Sequence, residues 1–280
     1  MKIWILGAGG MLGKTLQNFL IDKRIPFVAS SKEEADITSF LQLEALCAEI
    51  KPTHIFNCAA FTAVDRAESE FDLAMKINGQ APGILGKLAK KQGARLIHVS
   101  TDYVFSGSEH IPFKEEDEKN PINAYGRSKL EGEKSLLRQM PTACIVRTSW
   151  VYGAGGKNFI SSIVGLLEIK ETLQVANDQV GRPTYVIDLA QALWELKDDS
   201  GIYHFASSGQ ASRFEIAKSV LSYMKENNIK VACKDVLPVS ASLFSTPAPR
   251  PSYSVLDTSK YEGQYKTPRH WKETLKELFE

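Results

Sequence analysis

Apolar residues along the chain fall into two rhythms that alternate. Short unbroken runs read as strands buried on both faces: Ile3-Trp4-Ile5-Leu6, Phe27-Val28-Ala29, His54-Ile55-Phe56-Asn57-Cys58, Leu96-Ile97-His98-Val99-Ser100 and Ala143-Cys144-Ile145-Val146-Arg147. Between them the spacing is helical. Leu12, Leu16, Phe19 and Leu20 predict one helix, and Leu41, Leu43, Leu46 and Ile50 a second that Lys51-Pro52 ends. A third helix is expected from Asp72 to Lys91, closed by Gly93. Strand and helix in alternation imply an α/β fold with a parallel sheet covered on both sides. After Trp150 the rhythm weakens, and loops at Gly153-Ala154-Gly155-Gly156 and Thr246-Pro247-Ala248-Pro249-Arg250-Pro251 separate shorter elements. The expected organisation is a cofactor domain over residues 1–150, to which later segments return, and a smaller domain, mainly for substrate binding, over 151–280.

Composition narrows the function classes. A chain of 280 residues with 43% apolar content can bury a full core. Its formal charge of +1 gives no global field for nucleic acid or an anionic membrane. Phosphate binding then has to come from a local site. No stretch reaches the ~20 apolar residues of a membrane span, and the opening apolar run is too short for a signal peptide. Cys47, Cys58, Cys144 and Cys233 lack metal-ligand spacing and read as reduced, buried thiols. A cytoplasmic protein with no metal site is expected.

Gly7-Ala8-Gly9-Gly10-Met11-Leu12-Gly13 lies between the first strand and the first helix. Gly7 suits the tight turn, Gly10 a close approach to a pyrophosphate, and Gly13 the packing of helix on strand. The helix start offers free N–H groups and partial positive charge. This is the cradle of a Rossmann-type doubly wound sheet binding NAD(P). At the end of the second strand stand Ser30, Ser31 and Lys32 rather than an acidic residue. Two hydroxyls and a cation suit a ribose 2′-phosphate, so NADPH is expected, with NADH as an alternative; an ordinary exposed Lys32 is the competing reading.

The fourth strand ends in Ser100-Thr101-Asp102, and Tyr125 and Lys129 follow at a spacing that shares one helix face. Ketone reduction needs a hydride and a proton for the nascent alkoxide. Tyr125 would supply the proton, a nearby Lys129 ammonium would lower the phenol pKa, and Thr101 would polarise the carbonyl. Asp102 would contact substrate or satisfy backbone donors. Since Tyr103 follows it, the Asp-Glu pair of the sugar-nucleotide dehydratases is incomplete.

Further segments extend these motifs: Asn57-Cys58-Ala59-Ala60-Phe61-Thr62-Ala63-Val64-Asp65, Arg147-Thr148-Ser149-Trp150, Asp178-Gln179-Val180-Gly181-Arg182-Pro183 and Arg250-Pro251-Ser252-Tyr253. Together with the glycine turn and Tyr125-Gly126-Arg127-Ser128-Lys129, the chain resembles the dTDP-4-dehydrorhamnose reductase family of the extended short-chain dehydrogenase/reductases. The resemblance implies reduction of C4 of dTDP-6-deoxy-L-lyxo-4-hexulose to dTDP-L-rhamnose. It implies Gly10, Met11 and Leu12 at the pyrophosphate, and Asp36 and Ile37 beside the adenine. Ala60, Phe61, Thr62 and Val99 would line the rest of the cofactor, and Val64, Thr101, Asp102, Tyr125 and Trp150 would surround the sugar. The Trp150 indole could pack on a deoxysugar or serve the core, and Arg250 could grip the diphosphate or lie on the surface. His54 and His98 read as satisfied core histidines. Some family members dimerise through magnesium held by an acidic residue after the glycine turn. Gly13-Lys14-Thr15 has none, so a monomer or a homodimer without a metal bridge is expected. A reductase or epimerase for another nucleotide sugar and a non-catalytic, cofactor-binding regulatory subunit stay open as alternatives.

Overall fold

The computed structural model describes residues 1–108, 110–154, 156 and 158–279; Gly155 of the expected glycine loop lies outside them. Six parallel strands form the central sheet: β1 (Ile3–Leu6), β2 (Phe27–Ser30), β3 (His54–Asn57), β4 (Arg95–Thr101), β5 (Cys144–Thr148) and β6 (Gly201–His204). Their order across the sheet is β6-β5-β4-β3-β1-β2. Register aligns Leu6 with both Ser30 and Asn57, so the carboxyl ends of β1, β2 and β3 open at one edge. The strand order reverses between β1 and β3, and that reversal opens a crevice at the carboxyl edge where ligands of such sheets bind.

Alternation along each strand builds two cores. Trp4, Leu6, Ile55 and Leu96 point to one face and pack with Leu43 and Cys47 of α2 (Phe40–Ile50), Leu85 and Leu88 of α3 (Ala81–Gln92) and Leu136 of α4 (Ala124–Gln139). Ile3, Ile5, Phe56, Ile97 and Val146 point to the other. There they meet Leu16 and Leu20 of α1 (Met11–Asp22) and Leu189 and Leu193 of a helix over Val186–Glu195. That helix and β6 come from beyond residue 150, and the chain therefore re-enters the sheet layer after leaving it.

The helix expected over 72–91 forms in three parts: Phe71–Ala74, a π-helical turn over Met75–Gln80, and α3, closed by Gly93 at φ 69°. The π turn is anchored at Asn78 by a tertiary contact. Its side chain accepts from Phe61 N at 2.8 Å and donates to Phe61 O at 2.9 Å, clamping the loop that leaves β3. A widened turn at a site-forming residue is the usual place for a π bulge.

A second unit covers the carboxyl edge. It is built around α5 (Phe159–Leu167), a parallel strand pair (Thr172–Ala176 with Asp235–Val239) and a helix over Arg213–Glu226. Tyr152, Ile163, Val175, Val220, Met224 and Trp271 form its core. No helix among the described residues is long and apolar enough to cross a membrane.

Candidate active site

The glycine turn is packed to the limit its residues allow. Gly7 has φ 77°, and a β-carbon there would lie 2.6 Å from Ala59 N, so the exits of β1 and β3 touch. A β-carbon on Gly13 would come within 2.2 Å of Gly7 O, which seats α1 directly on the turn. Gly10 caps α1 without a side-chain acceptor, and no acidic residue occupies the first helical turn. The turn thus presents unshielded N–H groups and positive dipole to an anion. The residues present fit a dinucleotide diphosphate.

Two cavities meet at this turn. One of about 330 Å³ runs along Gly7, Gly10, Ser31, Lys32, Asp36, Ile37 and Ala60. Asp36 keeps its carboxylate occupied by accepting from Thr38 N at 2.9 Å and Thr38 Oγ1 at 2.8 Å. Ser30 does not join them. It is buried, and its hydroxyl accepts from the Trp4 indole N–H at 3.0 Å, so the expectation of two hydroxyls for a 2′-phosphate reduces to Ser31 beside Lys32.

The second cavity, about 550 Å³, brings together Gly10, Met11, Leu12, Ala60, Thr62, Val64, Val99, Thr101, Asp102, Tyr125, Lys129 and Trp150. Thr101 ends β4 and donates to Asp102 Oδ1 at 3.0 Å. Asn123 caps α4 by accepting from Gly126 N at 2.7 Å, which places Tyr125 and Lys129 in its first turns. A β-carbon on Gly126 would lie 2.1 Å from Tyr103 O; glycine lets α4 press on the strand exit. The Tyr103 and Tyr125 rings then meet edge to face at 5.8 Å.

Electrostatics sort the groups. Burial pushes the Tyr125 phenol above its ordinary value, while a hydrogen bond with Thr101 pulls it back. The expected lowering by Lys129 does not appear, Asp102 and Tyr103 add to the rise, and the phenol stays protonated, as a donor for ketone reduction must be. Burial lowers Lys129 to about 8, against the nearby Glu133 carboxylate. The Lys129 ammonium donates to Val99 O at 2.7 Å. Glu133 lies a turn further along α4 and is held by buried Arg147 at 2.9 and 2.7 Å. Burial raises Asp102 to about 6, against hydrogen bonding from Ser254 and Thr101 and the charge of Arg213. Asp102 Oδ2 has no partner among the described residues.

Trp150 follows β5 in the left-handed region, φ 47°. A large side chain there is strained, and such strain gathers at functional sites. A β-carbon on Gly181 would come 2.6 Å from the indole, and the Arg213 guanidinium lies 3.9 Å over the ring. One contact surface of the ring expected to meet sugar is therefore taken by arginine.

Three other expectations change. Arg250 does not line either cavity: its fork binds Asp65 at 2.7 and 2.8 Å, which holds the Asp65 carboxyl below its ordinary value and raises Arg250. Phe61 also lies off both cavities and packs against the cluster of Ala67, Ala74 and Ala124, while its backbone is held by Asn78. His98 accepts from Asn57 Nδ2 at 3.0 Å, yet its Nε2 is without a partner among the described residues. His54 is satisfied by Asp198 at 3.0 Å and Thr53 at 2.9 Å.

Arg213 was not found from sequence. The pattern Ser212-Arg213-Phe214-Glu215 is legible as a capping box, with Ser212 accepting from Glu215 N at 3.1 Å. It places Arg213 at a helix start. Only the pairing of Ala211 with Gly181, remote in sequence, swings that start onto the cavity.

The profile of the RmlD substrate binding domain family matches residues 1–280. The chain is 37% identical over 280 residues to the spore coat polysaccharide biosynthesis protein SpsK of Bacillus subtilis, covering 100% of this chain and 97% of that protein. It is 37% identical to a dTDP-4-dehydrorhamnose reductase of Streptomyces griseus, covering 99% of this chain and 92% of the other. A solved dTDP-4-dehydrorhamnose reductase of Bacillus anthracis, in complex with NADP, superposes with a TM-score of 0.93 at 38% identity, covering 99% and 98% of the two chains. A glycine-cradled crevice, a Thr101-Tyr125-Lys129 cluster beside it and full-length similarity converge on one statement: this chain belongs to the RmlD substrate binding domain family.

Proposed function

We propose that the protein is an NAD(P)-dependent oxidoreductase that reduces the C4 keto group of dTDP-6-deoxy-L-lyxo-4-hexulose (dTDP-4-dehydrorhamnose), giving dTDP-L-rhamnose. The observation that carries this reading is the convergence of Thr101, Tyr125 and Lys129 on the cavity that opens from the glycine turn, in a chain of this family. NADPH, with NADH as an alternative, would supply the hydride. Gly7, Gly10, Met11, Leu12 and Gly13 would hold its diphosphate, Ser31 and Lys32 its 2′-phosphate, and Asp36 and Ile37 its adenine end.

This chain's own groups do the rest. Tyr125 directs its hydroxyl at the carbonyl oxygen, and Thr101 would turn there the proton it gives Asp102, so that both stabilise charge as it develops. Tyr125 then releases its proton to the alkoxide. Lys129 would hold a positive charge behind it and bond the nicotinamide ribose. Val64 and Trp150 screen the reacting carbon from water, and the free Oδ2 of Asp102 accepts from a sugar hydroxyl. Residues 1–150 with the returning β6 and its preceding helix serve the cofactor, and the remainder mainly the substrate. Four free thiols and a nicotinamide cofactor fit a reducing cytoplasm. A monomer or a homodimer without a metal bridge fits the first turn of α1, which has no acidic residue.

The test is to supply the dTDP-hexulose with NADPH, then NADH, and follow loss of reduced-nicotinamide absorbance for wild type and Tyr125→Phe. Oxidation by wild type with dTDP-L-rhamnose as product supports the reading, with Tyr125→Phe slower by about 10³-fold. Cofactor binding without oxidation would reject this sugar, and a screen of other nucleotide sugars would follow.

A further inference from the structure

Arg213 is held unlike the other buried or half-buried arginines. Arg147 and Arg250 each pair with a carboxylate, and Arg182 spends its fork on Ser207 O, Leu256 O and the Thr258 hydroxyl. Arg213 makes no ion pair among the described residues, and its guanidinium instead stacks 3.9 Å from the Trp150 ring centre and 4.5 Å from that of Phe159. Aromatic rings fix the plane of the fork; one edge is drawn to the Tyr103 hydroxyl, and the donors it does not use stay available. Those donors face the central cavity, and also a smaller apolar recess of about 200 Å³ lined by Tyr152, Phe159, Ile160 and Ile216. Its backbone is equally fixed, since it directly follows the Ser212 cap and the strand pair Ala211–Gly181. Drawing the cation out of water lowers its pKa, while Tyr103 and Asp102 hold it up. A stacked, unpaired cation costs stability unless a ligand uses it.

The cavity holds two cations, Lys129 and Arg213. Lys129 is engaged by Val99 O beneath Tyr125. Arg213 is the cation left for a substrate. Asp102, bonded to Thr101 and within reach of the Arg213 charge, lines the same cavity with its Oδ2 unpartnered among the described residues. Acceptor and donor thus stand in sequence: hydroxyls of Thr101 and Tyr125 for a carbonyl, a carboxylate for a ring hydroxyl, a guanidinium fork for an anion. We propose that Arg213 holds the diphosphate of the nucleotide-linked sugar, so that the hexose lies with its anomeric end at Arg213 and its keto group at Tyr125. In a pyranose C1 and C4 are opposite each other across the ring. A site anchored on the C1 phosphate and reactive at the far end therefore selects a C4 ketone by position. This assignment rests on the nucleotide-sugar reading above, and it adds Arg213 as the residue that sets orientation.

The experiment compares wild type, Arg213→Gln and Arg213→Lys for binding of dTDP, thymidine and NADPH by calorimetry, and for kcat and KM with the dTDP-hexulose. Arg213→Gln is expected to weaken dTDP and raise KM about 30-fold, the loss for a charge-assisted bond, with thymidine and NADPH binding unchanged. Arg213→Lys, which keeps charge without the fork, should recover part of the loss. Equal dTDP affinity in wild type and Arg213→Gln overturns the assignment while leaving the substrate reading intact. Equal loss of dTDP and thymidine overturns it too, since the arginine would then be supporting the base pocket. Wild type that binds NADPH but not dTDP overturns the substrate reading and this assignment with it. If Arg213→Gln no longer binds NADPH, Arg213→Lys decides alone: a dTDP affinity about 5-fold weaker supports the fork, and an unchanged one overturns it.

Discussion

The Lys129 ammonium donates to the carbonyl oxygen of Val99 across 2.7 Å, joining α4 to β4 directly beneath Tyr125. Burial lowers this lysine to about 8. The unfolded chain, with its higher lysine pKa, holds more protons between about pH 8 and pH 10.5, so the cost of the buried charge is full below that window and fades as pH rises through it. Lys129→Met should therefore raise Tm near pH 7, by about 5 °C, and the gain should shrink toward pH 10. The same variant should lose at least about 10²-fold in kcat/KM. Melting curves and steady-state rates across pH 6 to 10 check both, and wild-type activity should fall as pH rises past about 8.

Asp102 titrates in the opposite sense. Its folded pKa is raised to about 6, so a stability contribution present at low pH is lost as pH rises through that value. Asp102→Asn should melt higher than wild type at pH 8, by an amount equivalent to about 3 kcal/mol. The two should converge near pH 4. If Oδ2 takes a sugar hydroxyl, KM should rise about 10-fold with NADPH affinity unchanged.

Gly181→Ala would drive a methyl group toward the indole of Trp150, at 2.6 Å before any adjustment. Overpacking of this kind costs about 1–3 kcal/mol. Trp150 is already in left-handed backbone and cannot relax freely, so the ring and the Arg213 stack should both shift. The measurable result is a KM for the nucleotide sugar raised about 10-fold, a changed near-UV dichroism and an unchanged NADPH affinity.

Lys32 tests cofactor choice. It lines the 330 Å³ cavity beside Ser31, with Glu33 next in the chain. Lys32→Ala should raise KM for NADPH about 10-fold and leave KM for NADH where it was. Equal effects on both cofactors would place the 2′-phosphate elsewhere.

Much of the fold and of the site is legible in the chain itself. The runs at β1, β3, β4 and β5 carry apolar residues on both faces, and only a covered parallel sheet suits that pattern. The glycine turn and the Tyr125-Lys129 spacing are local signals whose meaning depends on strand and helix alone. Distant partners were not legible. Ser30 looked free because nothing nearby in sequence reveals the Trp4 indole that takes its hydroxyl. Arg250 looked like a phosphate ligand because its partner Asp65 lies 185 residues away. Arg213 escaped notice because its route to the cavity runs through a two-residue strand pairing. The π turn at Asn78 was hidden for the same reason, since its clamp on Phe61 is a tertiary contact.

The late return of the chain to the sheet has a consequence for biosynthesis. β6 is added at the edge beside β5 only after residue 200, and the helix over Val186–Glu195 covers Leu16, Leu20, Ile97 and Val146 from the far side. As the chain emerges from the ribosome, the cofactor half presents an uncovered apolar sheet face until about two hundred residues have been made. Such surface invites aggregation or chaperone capture. Truncation before that point would yield an insoluble nascent fragment rather than a smaller cofactor-binding protein.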